Sequence, residues 1–263
     1  MEIMFLVRLL TSFIIAGLWI ALATLFAERT GSKIGGLFTN LPSNILISMV
    51  FIALVHDPTF VVAAVPGVPI GMTINTVFLM VFIVLLPRGL WIASLGSLVT
   101  WFGMAVLFTN LSLTHLVFNC LFYLMITLVA FCLLEKWARI PSMPKSSKRY
   151  SWSQILWRAV FAGGVVAMVV LISKFCSPYM TGIFATFPAV LLSTMVILTI
   201  NQGCEFARAT GKILILSSTN IVVYAIAIYF CYGSFGILWG TVFGFAVAVG
   251  WVLLLRPVVR IFT

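Results

Sequence analysis

Gly36-Leu37-Phe38-Thr39-Asn40-Leu41-Pro42 returns later in the chain as Gly182-Ile183-Phe184-Ala185-Thr186-Phe187-Pro188. Each copy leads into an apolar run, Leu46-Ile47-Ser48-Met49-Val50 and Leu192-Ser193-Thr194-Met195-Val196. The register extends backwards at the same spacing, so that Ala16, Gly17, Ala21 and Leu25 match Ala162, Gly163, Ala167 and Leu171. From residue 16 to residue 50 roughly ten of 35 positions are identical and most others exchange one apolar residue for another, the mark of an internal duplication.

The surroundings of the repeat fix the class of protein. The chain has 263 residues, of which 63% are hydrophobic and only 8% charged, too few charges to cover a water-soluble surface. Apolar runs long enough to cross a hydrocarbon core of about 30 Å recur along the whole length. No short alternating segments of a β-barrel occur. The fold expected is an all-α polytopic membrane helical bundle.

Nine spans are expected, at about 5–26, 39–55, 60–86, 90–109, 113–134, 154–175, 184–201, 206–230 and 234–255. The first lacks the basic start and small-residue cleavage site of a signal peptide and is read as retained. In the second, Thr39 or Asn40 can cap a helix with Pro42 in its first turn. Pro66 and Pro69 predict a kink or an extended start in the third. The domains follow: a first four-helix repeat over 1–110, an inverter helix with a basic linker over 111–153, and a second four-helix repeat over 154–263.

Charge sets the orientation. With the loops alternated between two sides, thirteen Lys and Arg residues fall on one side, and only Arg8 and Lys174 on the other. This positive-inside bias makes the basic side cytoplasmic, with the N-terminus outside and the C-terminus inside, and the membrane expected is the cell's inner, cytoplasmic one. The net charge of +10 is thereby a topology signal and leaves no need for a nucleic-acid partner. One odd span between two four-span repeats inverts the second against the first, a construction common in secondary transporters.

The second repeat resembles the small four-helix inner-membrane proteins of the GlpM kind. The likeness lies in Tyr179-Met180-Thr181-Gly182-Ile183-Phe184-Ala185-Thr186-Phe187-Pro188, in Glu205-Phe206-Ala207-Arg208, and in the apolar span containing Tyr224. The first repeat matches mainly through Gly36 to Pro42. That family is linked with polysaccharide production, so the resemblance implies an architecture and an envelope setting more than a mechanism. Small multidrug-type exporters and fluoride channels are similar in plan, although their sequence signatures are missing here.

Polar groups inside a bilayer are costly and each needs a reason. Asn75, with Thr76, lies near the middle of span three, and Asn220, with Thr219, near the middle of span eight, the equivalent spans of the two repeats. Inversion brings both towards the midplane, where a substrate site between the halves is expected. The alternative for this pair is hydrogen bonding between helices. Thr39, Asn40 and Pro42, and Thr186 and Pro188, mark helix starts whose free N–H groups suit an anion, or else are ordinary interfacial caps. His56-Asp57 is either a proton relay or a solvated loop pair, and Glu205 and Arg208 are spaced for a local ion pair. Small residues at Ala16, Gly17 and Ala21, at Gly96 and Gly103, and at Gly240, Gly244 and Ala248 are read as packing faces. The five scattered cysteines show neither a disulfide framework nor a zinc site, and no metal or cofactor is expected.

These features favour a transporter, permease or flippase of a small polar or lipid-linked solute over an intramembrane enzyme, for which no His/Asp/Glu/Ser cluster is present. The alternative is a non-catalytic accessory subunit of envelope or polysaccharide assembly. The partners expected are the lipid bilayer, the solute, and a second copy or an assembly protein.

Overall fold

A computed structural model describes residues 2–29, 42–137, 140 and 151–261. These residues are all-helical and carry no strand. The helices are α1 (Glu2–Arg29), α2 (Ser43–Val55), α3 (Pro58–Ala64), α4 (Gly67–Leu85), α5 (Leu90–Leu111), α6 (Leu116–Cys132), α7 (Trp152–Ile172), α8 (Pro178–Phe184), α9 (Ala189–Gln202), α10 (Cys204–Ser217) and α11 (Thr219–Ile261). A π turn, Leu133–Trp137, prolongs α6.

Among the described residues, seven helices are long and apolar enough to cross a membrane, and α2 is a shorter apolar helix. The outer surface agrees: Trp91, Leu95 and Val99 form an exposed stripe on α5, and Val117, Leu121 and Leu128 one on α6. Apolar stripes of this extent cannot face water and fit a lipid surface.

The expected spans land on these helices, with two refinements. Span eight begins on α10, is interrupted at Ser218, and continues with span nine in one stretch, Thr219–Ile261, broken only at Gly236 with φ 70°. That dihedral lies in the left-handed region, which a residue without Cβ enters freely. The two arms reverse there. Trp251 Nε1 donates to Thr219 Oγ1 at 3.0 Å, although a straight helix would hold these residues about 48 Å apart. Tyr232 OH and Thr241 Oγ1 lie 2.8 Å apart, and Gly244 packs on Ile228 and Tyr224.

Span three is split into α3 and α4, and span seven is preceded by a short helix, α8. Asp57 caps α3 by accepting from Phe60 N at 2.8 Å, and Ser177 caps α8 from Met180 N at 3.3 Å, each with proline as the first helical residue. The chain breaks again at Val65–Pro66 and at Ala185–Pro188, before α4 and α9. Pro42 and Pro188 stand immediately before α2 and α9 rather than inside their first turns, in nearly the same backbone conformation: φ −78° and ψ 50° for Pro42, φ −78° and ψ 41° for Pro188.

Helix α4 is the centre of the bundle. It is buried nearly all round, from Gly67 to Ile83, as a helix apolar on every face must be. Helices α5, α6, α8 and α10 pack around it. At its start the backbones nearly touch α8: a Cβ at Gly67 would meet Tyr179 O at 2.2 Å, and one at Gly182 would meet Ala64 O at 2.0 Å. Only glycine permits this approach.

The most extensive helix pair is α1 with α7. A Cβ at Gly17 would lie 3.1 Å from Ala159 O, and one at Gly163 would lie 2.6 Å from Phe13 O. Phe13 and Ala159 are aligned positions of the two copies, as are Gly17 and Gly163, so the contact is reciprocal. The pairing runs antiparallel, because Lys174, beyond the end of α7, sits over the Phe5 ring near the start of α1, at 3.4 Å.

Contacts separate into two ends. At one end Arg8 donates to Leu54 O, His56 meets Ser173, and Lys174 covers Phe5. At the other end Gln154 and Asn201 exchange amide hydrogen bonds at 2.9 and 3.1 Å, Arg208 pairs with Glu205 and Lys212 pairs with Glu135. Two residues counted among the basic loop charges are instead enclosed: Arg158 and Lys212 are 4% and 0% exposed. Of the expected packing faces, Gly17, Gly240 and Gly244 meet neighbours closely, while Gly103 has open space around it.

Candidate functional site

The break between α8 and α9 decides what Asn75 does. Proline at 188 has no N–H to continue the helical ladder. Phe187 N closes a tight turn onto Phe184 O at 2.9 Å, and Ala189 N bonds Phe187 O at 2.8 Å. The Thr186 carbonyl is taken by another helix: Asn75 Nδ2 donates to it at 2.7 Å. Asn75 Oδ1 accepts from Trp101 Nε1 of α5 at 2.8 Å, and Nδ2 also reaches Met72 Sδ at 3.5 Å. Trp101 is fully buried and packs edge-on against Phe184 and Phe187, with ring centroids 5.5 and 4.9 Å away. One asparagine thus ties α4, α5 and the α8–α9 break together.

The structure brings only some of the sequence-expected residues together. Asn75 and Thr186 are in direct contact, and the Thr186 hydroxyl turns back to Ile183 O at 2.7 Å. Thr76 donates to Met72 O at 3.1 Å and lies 3.5 Å from the Thr127 hydroxyl of α6. Thr219 and Asn220 begin α11, 8% and 1% exposed, with Thr219 holding Trp251. Pro42 and Pro188 head their helices without a side-chain cap. Thr39 and Asn40 lie outside the described residues.

Other expected pairs behave differently. His56 and Asp57 hydrogen-bond to different partners. The Asp57 carboxylate accepts from Thr59 Oγ1 at 2.5 Å and from Phe60 N, and these hydrogen bonds, the Thr59 hydroxyl foremost, hold its pKa below the usual carboxylate value. His56 stacks on Phe60 at 4.0 Å and meets Ser173 Oγ at 3.1 Å. Burial pushes its pKa below the ordinary 6.5. Glu205 and Arg208 form the expected pair, at 2.8 Å.

Sequence reasoning overlooked Trp101, Lys212 and Asn119. Trp101 is the tryptophan farthest from any span end, and an indole N–H there needs an internal acceptor. Lys212 donates to Glu135 Oε2 at 2.7 Å and to Ile140 O at 2.8 Å, fastening the π turn after α6 onto α10. Asn119 of α6 donates to Pro66 O at 2.8 Å and Leu113 O at 2.7 Å, holding the α3–α4 break.

Residues 9–114 match the model of a family described as a protein of unknown function, DUF3147. The match takes in α1 to α5 and stops before α6 begins. No curated protein and no solved structure matches the chain.

Proposed function

We propose that the protein is an integral-membrane transporter, permease or flippase of a small polar or lipid-linked solute, built from two inverted four-helix repeats joined by α6. The observation that carries the reading is the bond from Asn75 of the first repeat to the Thr186 carbonyl at the helix break of the second. Broken helices and buried polar side chains where two repeats meet are the usual makings of a transport site. Here those groups bond to one another, as they do when a site is closed. A solute would replace the protein partners of Asn75 and Asn220 as the repeats rock apart.

Two further features support the inverted arrangement: the reciprocal contact of Gly17 and Gly163 and the shared conformation of Pro42 and Pro188. The orientation proposed places the N-terminus outside, the C-terminus in the cytoplasm, and the protein in an inner membrane. The likeness of the second repeat to GlpM-type proteins belongs to the same proposal.

One observation favours the alternative of an accessory envelope-assembly subunit. Both polar atoms of Asn75 are satisfied within the protein, as in a structural bolt. Reconstitution separates the two. Vesicles containing the full chain are tested for equilibration of small polar solutes and for transbilayer movement of a fluorescent lipid. The transport reading expects faster movement of at least one probe than in empty vesicles, lost in the Asn75→Leu/Asn220→Leu double variant although that variant still folds. Movement equal to empty vesicles for every probe, with a partner co-purifying from native membranes, sinks it.

A further inference from the structure

Tyr123 lies in the middle of α6 and is 1% exposed. Its hydroxyl faces Thr127 on its own helix and Ser218 at the junction of α10 and α11. It completes a hydrogen bond with neither. The Thr127 hydroxyl in turn lies 3.5 Å from that of Thr76 on α4. Four hydroxyls from α4, α6 and the α10–α11 junction therefore converge, each on a residue at most 8% exposed. In α4 Thr76 follows Asn75, the residue that bonds the Thr186 carbonyl.

A buried O–H without a partner costs free energy, and packing alone would be better served by phenylalanine. The rest of the cluster shows what the phenol suits. Thr76 and Ser218 spend their protons on Met72 O and Ile215 O, at 3.1 Å each, so their oxygens remain able to accept. The cluster offers a donor at Tyr123 and acceptors at Thr76 and Ser218. A hydroxyl group is the partner that both accepts from the first and donates to the others. None of the four carries charge, and an ion placed among them would lose its hydration without gaining a counter-charge.

We propose that Tyr123, Thr127, Thr76 and Ser218 form the binding site for a small, uncharged, polyhydroxylated solute. The inference rests on the transport reading and narrows it. In the closed form the hydroxyls face one another, and in the loaded form the solute stands between α6 and the α10–α11 junction.

The test uses the full chain in vesicles of three parts phosphatidylethanolamine to one part phosphatidylglycerol. Solute influx is followed by stopped-flow light scattering. The probes are xylitol and, as a charged comparator, sodium gluconate. Xylitol is expected to enter faster than in empty vesicles, and gluconate not. Tyr123→Phe is expected to slow xylitol about tenfold, the worth of one hydrogen bond, with unchanged or higher thermal stability. Tyr224→Phe, in the α11 hairpin, is expected to keep the wild-type rate. Unchanged xylitol influx in Tyr123→Phe overturns the site while leaving the transport reading in place. Gluconate entering in preference to xylitol overturns the solute class. Vesicles impermeable to both also overturn it, and movement of some other probe would then decide whether the transport reading survives.

Discussion

Gly17 and Gly163 meet backbone to backbone where α1 crosses α7: a Cβ on Gly163 would stand 3.4 Å from the Gly17 nitrogen and 2.6 Å from Phe13 O. Neither neighbour is a flexible side chain, so nothing can yield without moving a helix. Gly163→Ala is expected to destabilise the protein by about 1–3 kcal/mol, the usual cost of overpacking. The adjacent Gly164 has open space around it, and Gly164→Ala there is expected to be neutral or to stabilise by up to about 1 kcal/mol. Thermal unfolding of the two purified variants in detergent checks the contrast. Equal effects would mean that the crossing is not as close as described.

The junction of α4 with α8 is tighter still. With 2.0 Å between a Cβ at Gly182 and Ala64 O, Gly182→Ala is expected to prevent accumulation of folded protein, where Gly163→Ala only weakens it. Monodispersity on size-exclusion chromatography distinguishes the two outcomes.

Asn75 carries two bonds between elements, so Asn75→Leu strands both the Trp101 indole N–H and the Thr186 carbonyl. Unpaired buried groups of this kind cost about 1–3 kcal/mol each, and the loss is expected in that range because partial relaxation offsets it. Quenching of tryptophan fluorescence by a membrane-soluble quencher is expected to rise as Trp101 loosens. An unchanged melting temperature and unchanged quenching would show that Asn75 is not a tie.

Lys212 and Glu135 are unequal partners. The lysine is fully enclosed and the carboxylate side chain is 37% exposed. Glu135→Gln leaves a buried cation without its counter-charge, whereas Lys212→Met leaves a carboxylate that can turn to water. Breaking an enclosed pair costs up to about 3–5 kcal/mol, less here because Glu135 is partly solvated. Glu135→Gln is expected to lower the melting temperature more than Lys212→Met, and the double variant to recover part of the loss.

Acid weakens the end of the bundle that holds His56. Burial lowers the folded-state pKa of His56 below 6.5, so the folded protein prefers the neutral ring. Its contribution is complete above about 6.5 and is lost as the pH falls through the lowered value. Asp57, also lowered, adds a second loss at pH below 3.8, as its carboxylate protonates and the α3 cap fails. His56→Gln is expected to flatten the stability profile between pH 5 and 6.5 and leave the profile near neutral pH unchanged. A profile as steep as the wild type in that window would contradict it.

The long helices were legible because hydropathy and span length are properties of a single segment. Gly17 and Gly163, matched by spacing alone, do meet at one helix crossing, because a missing Cβ is a local property that allows close approach. What the sequence hid are choices made between segments. Nothing local says that Asn75 faces Thr186 and Trp101, or that Lys212 turns inward to Glu135 while Arg208, one turn earlier, pairs with Glu205. Pro188 announced a helix start, but not that a short helix from Pro178 to Phe184 would precede it and leave a carbonyl for another element to bind. Gly236, one residue in an unbroken apolar stretch, was not legible: the expected gap between the last two spans lay at 231–233, ahead of it.

The inverted arrangement is the claim on which the functional reading stands, and sidedness tests it most directly. Thr59 and Glu205 occupy aligned positions in the two copies and are both exposed. Single cysteines are placed at each, in a background without the five native cysteines, and intact and permeabilised cells are labelled with an impermeant thiol reagent. The account predicts labelling of Thr59→Cys in intact cells and of Glu205→Cys only after permeabilisation. Labelling of both from the same side would contradict the inversion, and with it the transport site between the repeats.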